Sequence, residues 1–525
     1  MFISNHDMQE LNILQQKNGN DKDIGKTLAF DRFPNTMDSF WFSINPDVLI
    51  SPFDFVTVKH VFNTRTIGIV KELIATEDIG TAARVAVMAN TGIENQSKTV
   101  AIEMPVGPAK SVRFSTQKEV IFALGIPEME NPVSAGIIEM TNGLQVPVSL
   151  DISYLFGPDT AHVNAAGISG NSKTSYLFFL LHSSYQKLMK DMHEDVALII
   201  FNTKEEDLLH IDERKKADKQ TKKLFELLHL EVKPFENVTY FLPRGRDGRP
   251  NSAFIPSNSQ TYSFGLEDVY DRLDLLFGIN YDNYDISSIL NYIYEAWPLF
   301  IYNKQVNTWT DLVEFRGYPQ EVVAHKSTLF RFLSHVQRFR KSPMFIDKKV
   351  TSKYLGKEIK KIKRNDVFVI DISMIPTVQE QGFVVGDVMK SIDELYSSRQ
   401  RGKMPKHIFI FIDEINRFVP RSASNISAVA EQVMRTIVAG KSRDTTLFSA
   451  QQFKSTVDAA LHENTGMHVI AKLGMSELST PPYYMIDKNT KANIVRLNKG
   501  ELVMIHPAFR QPIKILFPKA PFKTG

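Results

Sequence analysis

Gly167-Ile168-Ser169-Gly170-Asn171-Ser172-Lys173-Thr174-Ser175 lies between an apolar run at 162–165 and a helical pattern that begins near Thr174. A loop of small residues between a strand and a helix is the setting of a phosphate-binding loop. Its backbone N–H groups and the helix N-terminus surround a polyphosphate with donors and positive dipole. In that arrangement Lys173 reaches the β- and γ-phosphates of ATP, and Thr174 places its hydroxyl on Mg2+. Gly167, Ser169, Gly170, Asn171, Ser172 and Ser175 complete the expected nucleotide lining. One position departs from the usual G-x-x-x-x-G-K-[ST] pattern, because Ser172 stands where glycine is usual. If its backbone takes positive φ, serine there costs about 1–2 kcal/mol. A turn that only caps a helix uses the same residue types, so the loop needs a partner element.

That partner is the run His407-Ile408-Phe409-Ile410-Phe411-Ile412, which ends in Asp413-Glu414. In open parallel sheets, ligands bind in the crevice at the carboxyl ends of the strands. There Asp413 is expected in the Mg2+ shell, and Glu414 is expected to polarise the attacking water as general base. Strands that stop at two solvated acids are common; an unbroken apolar run ending so, in a chain that also holds the loop, is a stronger signal. Thr446-Leu447-Phe448-Ser449-Ala450-Gln451-Gln452 reads as a strand ending in amides, and Gln451 is the candidate to contact the γ-phosphate and the water. The preceding helix carries Arg435 and ends in Gly440-Lys441-Ser442-Arg443. A guanidinium here, as on Arg435 or Arg443, could supply transition-state charge, often to a neighbouring subunit. Cations that neutralise a helix C-terminus look the same, and both readings stand.

The 525 residues exceed one ordinary core, so two or three domains are expected. A net charge of +3 argues against a polycation, and the absence of cysteine excludes disulfides and Cys-based metal sites. No apolar run is long enough to span a bilayer, and residues 1–26 lack the apolar segment of a signal peptide, which favours a cytoplasmic protein. Residues 1–28 read as a flexible tail. Short β-type runs at 48–50, 55–61, 67–70, 84–87, 99–104 and 145–148 suggest a small barrel over 29–155. Strands alternating with helices give an α/β core with a mostly parallel sheet over 156–205 and 351–518. Residues 206–350, helical in period and rich in aromatics, read as a helical insertion, and 519–525 as a C-terminal tail. Basic residues gather at Lys215, Lys216, Lys219, Lys222 and Lys223, across 348–364, and at Arg399, Arg401, Lys403 and Lys406.

On these residues the chain resembles the HerA-like ATPases, relatives of FtsK and of conjugation motor proteins with a RecA-like core of the additional-strand class. The resemblance spans about 38–518. It takes in a barrel of the HAS type, the loop, Phe201-Asn202-Thr203-Lys204-Glu205-Glu206-Asp207-Leu208, Asp413-Glu414, Ala450-Gln451-Gln452, and closing strands from Gly500 to Ile515. Lys441 stands where relatives commonly carry arginine. The resemblance implies a homo-hexamer that hydrolyses ATP with Mg2+ at subunit interfaces and threads double-stranded DNA through its channel. It also implies a partner effector on the barrel face, a nuclease or a sirtuin-type NADase, in antiphage defence or DNA processing. Two alternatives remain: a nucleotide-gated scaffold ring that activates an effector, and a protein-remodelling ATPase. His193-Glu194 and His462-Glu463 lack the second histidine that zinc ligation needs.

Overall fold

The computed structural model describes residues 22–61, 64–91, 103–156, 161–168, 170, 172–277, 284–303, 306–323, 325–348, 350–397, 404–421, 427–440 and 443–523. Six N-terminal strands close into a barrel in the order β1-β2-β5-β4-β3-β6. They are β1 (Gly25–Leu28), β2 (Ser39–Ile44), β3 (Phe55–Lys59), β4 (Arg65–Thr76), β5 (Gly80–Asn90) and β6 (Ser111–Phe114). Phe40, Phe42, Val56, Val58, Val70, Val85 and Val112 form part of its core. Two irregularities in the β4–β5 register bend the long pair around this small interior. Gly68 sits at one of them, where a Cβ would meet the Val85 side chain at 2.3 Å. The run 48–50 forms no strand, and most of 99–104 falls outside the described residues.

The barrel ends at Phe114, earlier than the expected boundary at 155. The next two strands, β7 (Pro132–Glu139) and β8 (Gln145–Asp151), make a separate hairpin. It packs on the core: the Ile137 and Leu516 main chains exchange two hydrogen bonds of 2.8 Å. Tyr176 donates to the Ala135 carbonyl and Ser183 to the Ser134 carbonyl.

The core is one ten-stranded sheet, ordered β12-β11-β15-β10-β16-β17-β9-β18-β19-β20. In chain order these are β9 (Val163–Ala166), β10 (Val196–Asn202), β11 (Val238–Pro243) and β12 (Ser259–Tyr262). A short pair outside the sheet, β13 (Phe264–Gly265) and β14 (Phe345–Ile346), comes next. Then follow β15 (Val367–Asp371), β16 (His407–Ile412), β17 (Thr445–Gln451), β18 (Met467–Ile470), β19 (Leu502–Ile505) and β20 (Ile513–Ile515). Pairing is parallel from β12 to β18, and the last two strands run antiparallel. β10, β16 and β17 are buried along their whole length, as sheets covered on both faces require.

The expected insertion at 206–350 is too broad, since β11 and β12 belong to the sheet. β12 is an edge strand of Ser259, Gln260, Thr261 and Tyr262 with no apolar run to mark it. The helical part holds Tyr284–Tyr302, Trp309–Glu314 and Lys326–Arg340. The expected C-terminal tail also docks through residue 523. Phe522 is buried beside Phe178 and Phe235, and Lys215 donates to the Pro521 carbonyl. Among the described residues no helix is long and apolar enough to cross a membrane.

Arg272 ties the helical part to the core helix Val378–Ser397. Its guanidinium donates to Asp387, to Ser391 Oγ at 2.7 Å and to Glu394 Oε2 at 2.6 Å. Asp387 is fully buried. Arg272→Met leaves that carboxylate unpaired and is expected to cost about 3–5 kcal/mol in denaturant unfolding. Adding Asp387→Asn should recover part of the loss.

Candidate nucleotide-binding site

Strand order builds the site. The loop leaves β9 and the acid pair leaves β16; β17 lies between them, parallel to both. This extra strand between the two motif strands brings both motifs to one edge of the sheet. The loop is clamped there by Gly167 N–H donating to the Gln452 carbonyl and Ile168 N–H to the Lys472 carbonyl, each at 3.1 Å. A Cβ on Gly167 would lie 2.6 Å from the Ala471 Cβ, so this close approach admits only glycine.

Helix Lys173–Gln186 starts at Ser172, whose φ of 68° and ψ of 13° are left-handed. The serine therefore adopts the conformation that makes glycine usual at this position. Gly170 also has positive φ, at 78°. Ser175 is exposed on the first turn of the helix, while Ser169 and Asn171 lie outside the described residues.

Thr174 Oγ1 donates to Asp413 Oδ2 at 3.0 Å, joining the loop helix to the end of β16. Lys173 is buried and its ammonium donates to the Ile168 carbonyl at 3.4 Å. Burial draws its pKa below the ordinary lysine value, against the pull of Asp413. Asp413 and Glu414 are 3% and 8% exposed. Asp413 Oδ1 accepts the Glu414 N–H at 2.8 Å, and Glu414 holds left-handed φ and ψ of 52° and 45°. A non-glycine residue in this conformation stores strain of the kind found at functional sites.

Sequence reasoning assigned no role to Lys204. It follows β10, the other neighbour of β16, and its Nζ lies 2.8 Å from Asp413 Oδ2 and 3.4 Å from Glu414 Oε1. Burial opposes the charged ammonium, but Asp413 and then Glu414 outweigh it and raise its pKa. The available signal was no more than a lysine just past an apolar strand. Nearby, burial lifts the Asp207 carboxyl above its ordinary value.

Thr174 and Asp413 offer hard oxygens within hydrogen-bond distance of each other. Mg2+ takes such ligands, one or two from protein and the rest from phosphate and water. The donor set fits that ion.

Two expected site residues are engaged with other protein groups, Gln451 beside the loop opposite Ala166 and Arg443 at the far end of β17. Gln451 is fully buried and exchanges two hydrogen bonds with Asn164, at 2.9 and 2.8 Å, so its amide is committed inside the sheet. Arg443 precedes β17, at the opposite edge from the loop; a seven-residue strand puts about 20 Å between the two ends. There it pairs with Asp393 at 2.8 Å and lies over the Tyr396 ring. It cannot serve the loop of its own subunit. Lys441 lies outside the described residues.

Just beyond β17, Lys454 is 2% exposed and its ammonium meets His468 Nδ1 at 2.8 Å. Burial, partly offset by Glu477, pulls its pKa down to about 7.

No protein-family profile matches the sequence, and no curated protein matches it. Solved structures are similar in layout. VirB4 of Thermoanaerobacter pseudethanolicus gives a TM-score of 0.47 at 13% identity, covering 75% of this chain and 97% of that one. The bacterial conjugative coupling protein TrwB, in an unbound form, gives 0.43 at 14% identity, covering 71% and 88%. TrwB in complex with ADP and Mg2+ gives 0.42 at 10% identity, covering 69% and 86%. At these values the strand order and contacts of the chain itself carry the reading.

Two outcomes follow from this geometry. Ser172→Gly removes about 1 kcal/mol of backbone strain already present without nucleotide, and should raise stability by up to about that amount in urea unfolding. Between pH 7 and the ordinary lysine value of 10.5, the unfolded chain holds a proton on Lys454 that the folded chain lacks. Stability therefore rises with pH across that window, by up to about 1.4 kcal/mol per pH unit. Urea unfolding of Lys454→Met should give a flatter profile.

Proposed function

We propose that the chain is an ATP-hydrolysing motor subunit that works as a homo-hexameric ring on double-stranded DNA. The observation that carries the hydrolytic reading is the 3.0 Å bond between Thr174 and Asp413, with Glu414 beside it. The main-chain N–H groups of the loop and Lys173 hold the β- and γ-phosphates. Thr174 and Asp413 are the residues that would hold Mg2+, which would supply charge neutralisation for the phosphates when bound. Glu414 accepts the proton of the attacking water, its carboxylate held beside Asp413 by main-chain geometry.

DNA as the track is supported by the sequence resemblance and by a cleft of about 740 Å³ at the same edge of the sheet, where Arg244, Arg246, Arg338 and Lys341 gather. Such groups suit sequence-independent phosphate contact. The basic run at 348–364 is a weaker candidate, because Lys357, Lys360 and Arg364 are paired with Asp268, Glu394 and Asp195. A nuclease or NADase effector seated on the barrel face completes the proposal, with a role in antiphage defence or DNA processing in the cytoplasm. In a ring, Arg443 would act only on a neighbour's nucleotide. A second reading, a nucleotide-gated scaffold that activates an effector without processive movement, is supported by the strained Ser172 and by Arg443's engagement with Asp393.

Glu414→Gln should retain nucleotide binding and lower kcat by about 100-fold or more, while Lys173→Ala should lose binding. Duplex DNA should stimulate phosphate release by the wild type. Native mass spectrometry with nucleotide should give six copies. Unchanged turnover in both variants would remove the hydrolytic reading; slow turnover indifferent to DNA, with an effector switched on, would favour the scaffold.

A further inference from the structure

We infer that Lys204 is a built-in counter-ion of the acid pair, which it occupies until a divalent cation displaces it. The inference rests on the nucleotide site proposed above and adds a positioning residue to it. Asp413 and Glu414 are consecutive, almost fully buried carboxylates, and Asp207 lies close enough to add to their repulsion. Two adjacent carboxylates taken out of water call for a cation at hand. Lys204 supplies it, at 2.8 Å from one acid and 3.4 Å from the other.

The register of the sheet dictates this. β10 and β16 run parallel with Phe201 opposite Ile412, so the residues that follow each strand emerge side by side. Lys173, on the loop side, turns its ammonium to the Ile168 carbonyl. The decisive detail is that a single oxygen, Asp413 Oδ2, accepts from both Thr174 and Lys204. A divalent cation that takes the Thr174 hydroxyl and this carboxylate must compete with the Lys204 ammonium for that oxygen. Thr174 is fixed on a helix, whereas the Lys204 side chain is 43% exposed on a long flexible stem and is free to withdraw.

Lys204 therefore does two opposed things. It weakens divalent-cation binding to the empty site, and it makes the site tolerable for a nucleotide that arrives without metal. A lysine that merely braced the fold would, on removal, weaken both kinds of binding together.

The test compares wild type, Lys204→Met, Lys204→Gln and Lys204→Arg. Mn2+ binding without nucleotide is followed by electron paramagnetic resonance. Binding of a fluorescent ATP analogue is measured in EDTA and in Mg2+. In the Met and Gln variants Mn2+ should bind about tenfold tighter, and the analogue's preference for the Mg2+ condition should grow about tenfold, as expected when one partly screened charge is removed. The Arg variant should stay near wild type. Analogue binding by wild type together with unchanged or weaker Mn2+ binding in both neutral variants overturns this inference alone. A wild-type chain that binds the analogue in neither condition overturns the nucleotide-site reading, and this one with it.

Discussion

A hydrogen bond between a helix and a strand far apart in sequence holds the site together: Thr174 on the loop helix and Asp413 at the end of β16. It exists because β9, β17 and β16 run parallel and in step, so that whatever leaves their carboxyl ends leaves at one edge. The apolar runs of these strands are buried on both faces, and sliding one past its neighbour would carry a carboxylate into the core. Register is thus held by the hydrophobic effect, and the polar contacts at the edge inherit its accuracy.

Against that rigid frame, two residues are held in a conformation they disfavour. Ser172 and Glu414 are both left-handed, one at the start of the loop helix and the other at the end of the acid strand. Each is fixed by neighbours rather than by its own preference: Ser172 by the helix it begins, Glu414 by the main-chain bond to the Asp413 carboxylate. Each flanks one partner of the Thr174–Asp413 bond, so contacts made by a bound polyphosphate there can alter both at once.

The sequence was most legible where burial is complete. The strands expected at 162–165, 407–412 and 446–452 are present, because a strand covered on both faces must be apolar throughout. β11 and β12 escaped notice: the first mixes Thr239 and Tyr240 into its apolar residues, and the second is a polar edge. The contact of Thr174 with Asp413 could be anticipated because motif residues carry their chemistry with them. Gln451 ends β17 beside the loop, opposite Ala166, and its amide pairs with Asn164 in the next strand, a contact that a strand-end amide does not announce in the sequence. Lys204 went unassigned because nothing in one dimension reveals that β10 lies beside β16.

The hairpin β7–β8 has a bearing on how the chain is made. Ile137 takes its main-chain partner from Leu516, while Ser134 and Ala135 receive hydroxyls from the loop helix. During synthesis the hairpin and that helix emerge long before the strand that completes their outer layer. Until then an apolar seam is exposed on the nascent chain. Such long-range closure slows folding.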